Sequence, residues 1–246
     1  MKETRDIMGM PVTVEIRDPY VTSEHLKEVF DYFSRVDEQF STYKPDSEIS
    51  RINRGELGPG AFSTEMNEVF MLAAETKRQT GGYFDIRQPS GLIDPSGLVK
   101  GWAIFKASGI LKSAGFYDFY VDAGGDIQTS LPDAGEIWRV GIRNPFNKSE
   151  IVKVVGLANR GMATSGTYER GAHIYNPLDF DRELTDVVSI TVIAENVYEA
   201  DRFATACFAM GERGIEFLEN HSGLEGYQID KDGIATYTSG FEKFVI

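Results

Sequence analysis

Cysteine is almost absent: Cys207 is the only one in the chain, so no disulfide can form within it. Long apolar runs are missing too. No stretch approaches the ~20 consecutive apolar residues that a bilayer-spanning helix needs. The opening MKETRDIMGM has neither an apolar run of signal-peptide length nor a cysteine for lipid attachment. These absences give the expectation of a cytoplasmic protein with no membrane insertion. Positive charge is also short, with 25 Lys and Arg against 38 Asp and Glu and a formal net charge of −13 at pH 7. Nucleic acids and anionic membranes are gripped by clustered cations, so neither is an expected partner. Any phosphate handled here needs backbone N–H groups, helix N-termini or a divalent cation. The chain has three histidines, which leaves few candidates for a proton carrier near neutral pH.

What is present suffices for a sizeable core: 246 residues, 41% of them hydrophobic. There is no internal repeat and no low-complexity linker, so a single domain over residues 1–246 is expected. Val12, Val14 and Ile16 alternate along a half-buried strand. Leu26, Val29, Phe30, Phe33, Val36 and Phe40 then form one helical stripe. Ser47 opens a short helix, and Ser63 or Thr64 caps a longer one that ends at Gly81 and Gly82. The stretch from Pro95 predicts a helix with Leu98, Trp102, Phe105 and Ile110 on its apolar stripe. FYVDAGGDIQT predicts a strand interrupted at its two glycines. Further strands follow at 138–142, 152–157 and 185–194, and a hairpin turns at Asp232 and Gly233. Strands and helices mix without βαβ alternation, so the expected fold class is α+β.

Several residues have chemical potential. ENVYEADRFATACFAMG predicts a helix capped by Asn196, with Ala200, Phe203, Ala204 and Cys207 on its core face. Asp201 and Thr205 stand one turn apart beside that face, an oxygen pair suited to a hard cation such as Mg2+. The same pair fits a first-turn Asp favoured by the helix dipole and a Thr bonded to a carbonyl. Tyr43 sits in a turn, free either to stack on a heteroaromatic base or to lid the local core. Asp122 and Asp126 flank the two glycines, where carboxylates serve turn chemistry as readily as a site. Thr164, Ser165, Gly166, Thr167, Arg170 and His173 could surround a phosphate and move a proton, or form a polar strand edge.

Taken in order, MG, FSTYKPDSEISRIN, FD, DPSGLVKGWA, VDAGGDI, ATSGTYERG with HIYNP, and EADRFATACFAMG resemble the ApbE family of FAD:protein FMN transferases. The resemblance covers nearly the whole chain. It implies an α+β fold of that family's T-fold-like type. It also implies Mg2+-dependent transfer of FMN from FAD to a Ser or Thr hydroxyl of an acceptor protein, with release of AMP. The family's metal ligands fall on Asp201, Thr205 and the carbonyl of Gly97, with Asp201 also counted in the catalytic machinery. FAD contacts fall on Met8, Tyr43, Asp94 and Lys100, on Phe84, Asp85 and Ile86, and on Tyr175. His173 matches the family's histidine, as base or substrate-positioning group. The usual MGT is here MGM, DLGG is DPSG, and HIIDP is HIYNP. Only eight residues separate Asp85 from Asp94, where many members carry a longer insertion, so a more open flavin pocket is expected. FAD pyrophosphatase activity and non-catalytic FAD binding are the competing functions. No convincing flavin-acceptor motif lies in the chain itself, so the acceptor is expected to be another protein.

Overall fold

The computed structural model describes residues 1–166, 175–180 and 184–246. Strand β1 (Lys2–Ile7) runs antiparallel to β2 (Met10–Ile16), joined by a turn whose central residues both have positive φ, Met8 at 57° and Gly9 at 71°. Two left-handed residues are what a type I′ hairpin turn needs, and Gly9 supplies one at no steric cost. Met8 does not, because its Cβ crowds the backbone. Met8→Asn is therefore expected to stabilise the protein by about 0.5–1 kcal/mol, read by denaturant unfolding. FAD affinity measured on the same variant checks whether Met8 contacts the flavin. Strand β1 is absent from the sequence reading because KETRDI has no apolar alternation; as an edge strand it needs none.

Strand β3 (Phe119–Ala123) pairs with β2 and turns directly into β4 (Asp126–Ser130). The expected interrupted strand is thus a hairpin. Gly124 (φ 61°) and Gly125 (φ 93°) make a second turn that requires positive φ. With β7 (Gly161–Gly166), β8 (Val187–Ala194), β9 (Glu225–Asp230) and β10 (Ala235–Tyr237) they complete an eight-stranded antiparallel sheet in the order β1-β2-β3-β4-β7-β8-β9-β10. Strands β5 (Trp138–Asn144) and β6 (Asn147–Leu157) form a separate two-stranded ribbon.

Alternation along the strands serves two cores. On β8, Ile190 and Val192 join the core beneath the helices, while Ile193 joins a second core with Ile142, Val155 and Phe241 on the ribbon side. Helices α1 (Ser23–Phe40), α2 (Glu48–Asn53), α3 (Thr64–Gln79) and α4 (Ser96–Ser113) lie between β2 and β3 in sequence, and α5 (Val197–Met210) and α6 (Arg213–Glu219) between β8 and β9. The buried residues of α1 are those of the expected stripe, Leu26 to Phe40. Each contributes about 2 kcal/mol of apolar burial. Caps form as expected: Ser47 Oγ accepts from the Ser50 N–H (3.1 Å), Ser63 Oγ from Met66 (3.1 Å) and Asn196 Oδ1 from Glu199 (3.0 Å).

Helix α4 departs from its expected stripe. Phe105 is 41% exposed, whereas Val99, Ala103, Ile104 and Ala107 are buried alongside Leu98 and Trp102. The sheet, α1, α3 and α5 cover this helix from several sides, so no single apolar stripe is required of it. Its approach to α5 depends on Gly101. A Cβ there would sit 2.5 Å from Asp201 Cβ and 2.7 Å from the Val197 carbonyl oxygen. Among the described residues no helix is long and apolar enough to cross a membrane.

Candidate active site

Where α4, α5 and the end of β7 meet, a cleft opens that is lined by Asp201, Thr205, Gly97, Lys100, Thr164 and Ser165. Thr205 Oγ1 donates to the Gly97 carbonyl at 3.2 Å, and Ser165 Oγ lies 3.5 Å from Thr205 Oγ1. This closeness needs the missing side chain at Gly97, since a Cβ there would stand 3.0 Å from Thr205 Cγ2. Asp201 is 4% exposed, and its Oδ2 accepts the Gly101 N–H at 2.7 Å. The first-turn, helix-starting position expected for Asp201 is therefore corrected. It is a buried carboxylate inside α5, turned onto the backbone of α4.

Asp126 is the residue that sequence reasoning undervalued. It is 1% exposed, its Oδ2 lies 2.7 Å from Lys100 Nζ, and its Oδ1 accepts the Thr164 N–H at 3.0 Å. It thereby ties α4 to β7 and stands near the Asp201 carboxyl, whose ionisation its charge opposes. Burial pushes the Asp201 carboxyl up to about 7, the Asp126 charge adds to the rise, and Lys100 and the Gly101 N–H oppose it. Two desolvated carboxylates facing one ammonium leave an excess negative charge in a dry place. That excess, with a carboxylate, a hydroxyl and a carbonyl oxygen at its edge, suits a hard divalent cation. Among the described residues there is no cluster of three or more His, Cys, Asp or Glu able to hold a metal, so a cation here would depend on this mixed oxygen set.

The opposite wall comes from the segment between α3 and α4. Phe84, Asp85, Asp94 and Tyr175 line the cleft. Asp85 Oδ2 pairs with Lys77 Nζ at 2.5 Å, and its Oδ1 accepts the Arg87 N–H at 2.9 Å. Asp94 Oδ1 accepts the Ser96 N–H at 3.0 Å and Oδ2 the Gln88 side-chain amide at 3.2 Å, so it forms an Asx turn that leads into α4. Tyr175 donates to the Arg87 carbonyl at 3.2 Å, and burial pushes its hydroxyl up to about 12. Ile86 packs against the core, and its carbonyl accepts the Asp94 N–H at 2.7 Å. The short loop is closed by its own turns: Gln88 N–H bonds the Leu92 carbonyl at 2.8 Å, and Arg87 bridges Ile93. Asn53 pins it further, donating to the Ile93 carbonyl at 2.9 Å and accepting the Ile93 N–H at 2.8 Å. Asn53→Ala is expected to cost about 1–3 kcal/mol of stability, because both Ile93 backbone groups lose their partner. Thermal melting checks this, together with a KM for FAD that rises more than kcat falls.

Met8 and Tyr43 are not brought to this cleft. Met8 borders a separate depression with Ser34, Asp37 and Lys44, and Tyr43 is 96% exposed. His173, with Thr167 and Arg170, lies outside the described residues.

An antiparallel sheet with a helical layer on one face, and a polar cleft where two of those helices meet the rim, define an α+β protein of the flavin transferase fold. Flavin Transferase ApbE from Vibrio cholerae superposes with a TM-score of 0.86 at 24% identity, covering 99% of this chain and 98% of that one. The ApbE protein of Thermotoga maritima gives a TM-score of 0.86 at 20% identity, over 99% of this chain and 98% of that chain. The chain belongs to the ApbE family, whose model matches residues 8–90 and 87–228. Among curated relatives, the FAD:protein FMN transferase of Escherichia coli K12 is 30% identical over 129 residues, 48% of this chain and 37% of that protein. That of Buchnera aphidicola is 30% identical over 144 residues, 54% of this chain and 42% of that protein. The matched stretches thus span less than half the length of these relatives.

Proposed function

We propose that the protein is an FAD:protein FMN transferase, which moves FMN from FAD to a Ser or Thr hydroxyl of an acceptor protein and releases AMP. The observation that carries this reading is the convergence of Asp201, Thr205 and the Gly97 carbonyl at a buried site with one carboxylate in excess over Lys100. These oxygens would hold Mg2+, which, when bound, offsets charge on the FAD diphosphate. The acceptor oxygen attacks the phosphorus on the FMN side, the bond to the AMP phosphate oxygen breaks, and a phosphoester remains on the acceptor.

The chain's own groups position this exchange. Ser165 and Thr164 offer donors to phosphate oxygens, and Lys100, held by Asp126, keeps a fixed positive charge beside the carboxylates. Tyr175 presents aromatic surface for the dinucleotide, and the buried Phe84 backs the cleft wall. His173 is the proposed acceptor of the hydroxyl proton, a role assigned from the family motif. A cytoplasmic setting remains part of the proposal.

FAD pyrophosphatase activity uses the same site with water as the acceptor. Incubation with FAD, Mg2+ and a candidate acceptor separates the two: a covalent flavin-fluorescent protein band with stoichiometric AMP supports transfer. Free FMN and AMP without a band would assign hydrolysis, and intact FAD would assign binding alone.

A further inference from the structure

Among the described residues strand β5 has one strand neighbour, β6, and the far side of β6 is covered at Val155 by a bridge to Val245. The outer edge of β5 is therefore the open edge of the ribbon. Beside it runs a groove of about 460 Å3, walled on one side by residues 136–143 and on the other by Tyr120, Ile127 and Met162 of the main sheet. The far end of the groove is marked by Trp138, whose ring lies 3.5 Å from the Arg17 guanidinium. At the other end Arg143 stands near the Asp122 carboxylate, and Thr164 lines both this groove and the cleft that holds Asp201.

An exposed strand edge pairs readily with another extended chain and is usually short, bulged or covered. Here β5 spans Trp138–Asn144 and borders a groove. Arg139 and Arg143 project on its exposed face. Neither makes an ion pair with a described residue, in a protein whose net charge is −13. Lys2 and Glu15, which also line the groove, neutralise one another at 3.1 Å, and Asp122 and Glu136 lie on the groove wall. The edge thus offers backbone hydrogen bonds for affinity and two arginines on one face for charge selection.

We propose that the open edge of β5 binds an extended, acidic segment of the acceptor protein by strand addition and leads it along the groove to the cleft at Thr164. This rests on the transferase reading for its partner, but the docking itself needs neither FAD nor metal. The probe is a synthetic peptide of about ten residues, a single strand's length, alternating Asp and Val around one Thr. A control peptide carries Lys in place of each Asp. Binding is followed by fluorescence anisotropy, and hydrogen exchange of the full chain locates the contact.

The acidic peptide is expected to bind without FAD, to slow amide exchange within residues 139–143, and to bind the variant Arg139→Glu with Arg143→Glu about tenfold or more weakly. Arg143 lies beside the Asp122 carboxylate, so the double variant should melt somewhat lower than the wild type; Arg139→Glu alone is exposed, should melt like the wild type, and should also weaken binding. The lysine peptide should show no protection. Absence of binding, protection elsewhere, or equal affinity for the charge-reversed variant would each overturn the proposal, leaving the arginines as guards of an open edge. The transferase reading is tested apart from this by FAD turnover in the Asp201→Asn variant. Protection at residues 139–143 without flavin transfer upholds the docking surface and counts only against that reading.

Discussion

Asp201→Asn is expected to lower FMN transfer by about a thousandfold, the scale lost when one preorganised charge-stabilising group is removed from a dry site. The substitution is nearly isosteric. Its amide oxygen can still accept the Gly101 N–H that Asp201 Oδ2 accepts at 2.7 Å, so α4 and α5 should stay in register. It removes the one carboxylate in the oxygen set with Thr205 and Gly97. Because burial and Asp126 already disfavour the charged form, the fold gains nothing from that charge in the absence of a cation. Melting should therefore be unchanged or slightly raised without added metal. The stabilisation that Mg2+ gives the wild type should disappear in the variant. Turnover assays and melting with and without Mg2+ check both halves. Asp201→Ala is a poorer probe, since it strands the Gly101 N–H as well.

The largest loss of stability is expected from Gly161→Ala, at about 3 kcal/mol or more, the upper range for overpacking. A Cβ at Gly161 would overlap the backbone N and Cα of Val197 and the carbonyl carbon of Asn196. Those atoms are the first turn of α5, fixed by the Asn196 cap and by the Val197 N–H that bonds Gln128 Oε1 at 2.8 Å. No rotamer change can relieve a clash with backbone. The helix must shift, and Asp201 and Thr205 shift with it, so activity should fall together with the denaturation midpoint. Gly109→Ala is the control: it lies exposed within α4, a Cβ there meets nothing within 4 Å, and it should stabilise by about 0.5–1 kcal/mol. Equal effects at the two glycines would disprove the account of how α5 is seated.

Legibility in the sequence followed the kind of force involved. Helix α1 was readable because its core contacts come from one face, so the 3.6-residue period of Leu26 to Phe40 survives in the chain. Caps at Ser47, Ser63 and Asn196 were readable because their chemistry is local. Helix α4 was not, because packing on several sides erases the period. Strand β1 was not, because an edge strand with charged residues has no pattern to show.

At the site, the pairing of Asp201 with Thr205 could be read from helical spacing, but the burial of Asp201 could not. It depends on Gly101 allowing α4 to approach, and nothing near Asp201 in sequence records that. The weight of Asp126 was hidden for the same reason. In VDAGGD it looks like a turn residue, and only the meeting of β4 with α4, α5 and β7 makes it the partner of Lys100 and Thr164 and the neighbour of Asp201.

The most direct test of the cation-assisted transferase site is a crystal structure of the protein with FAD and Mg2+. The account predicts one ion at about 2.0–2.1 Å from an Asp201 carboxylate oxygen, the Thr205 hydroxyl and the Gly97 carbonyl, with diphosphate oxygens completing its shell. A diphosphate bound away from these three residues, or seated there with no ion between them, would contradict it.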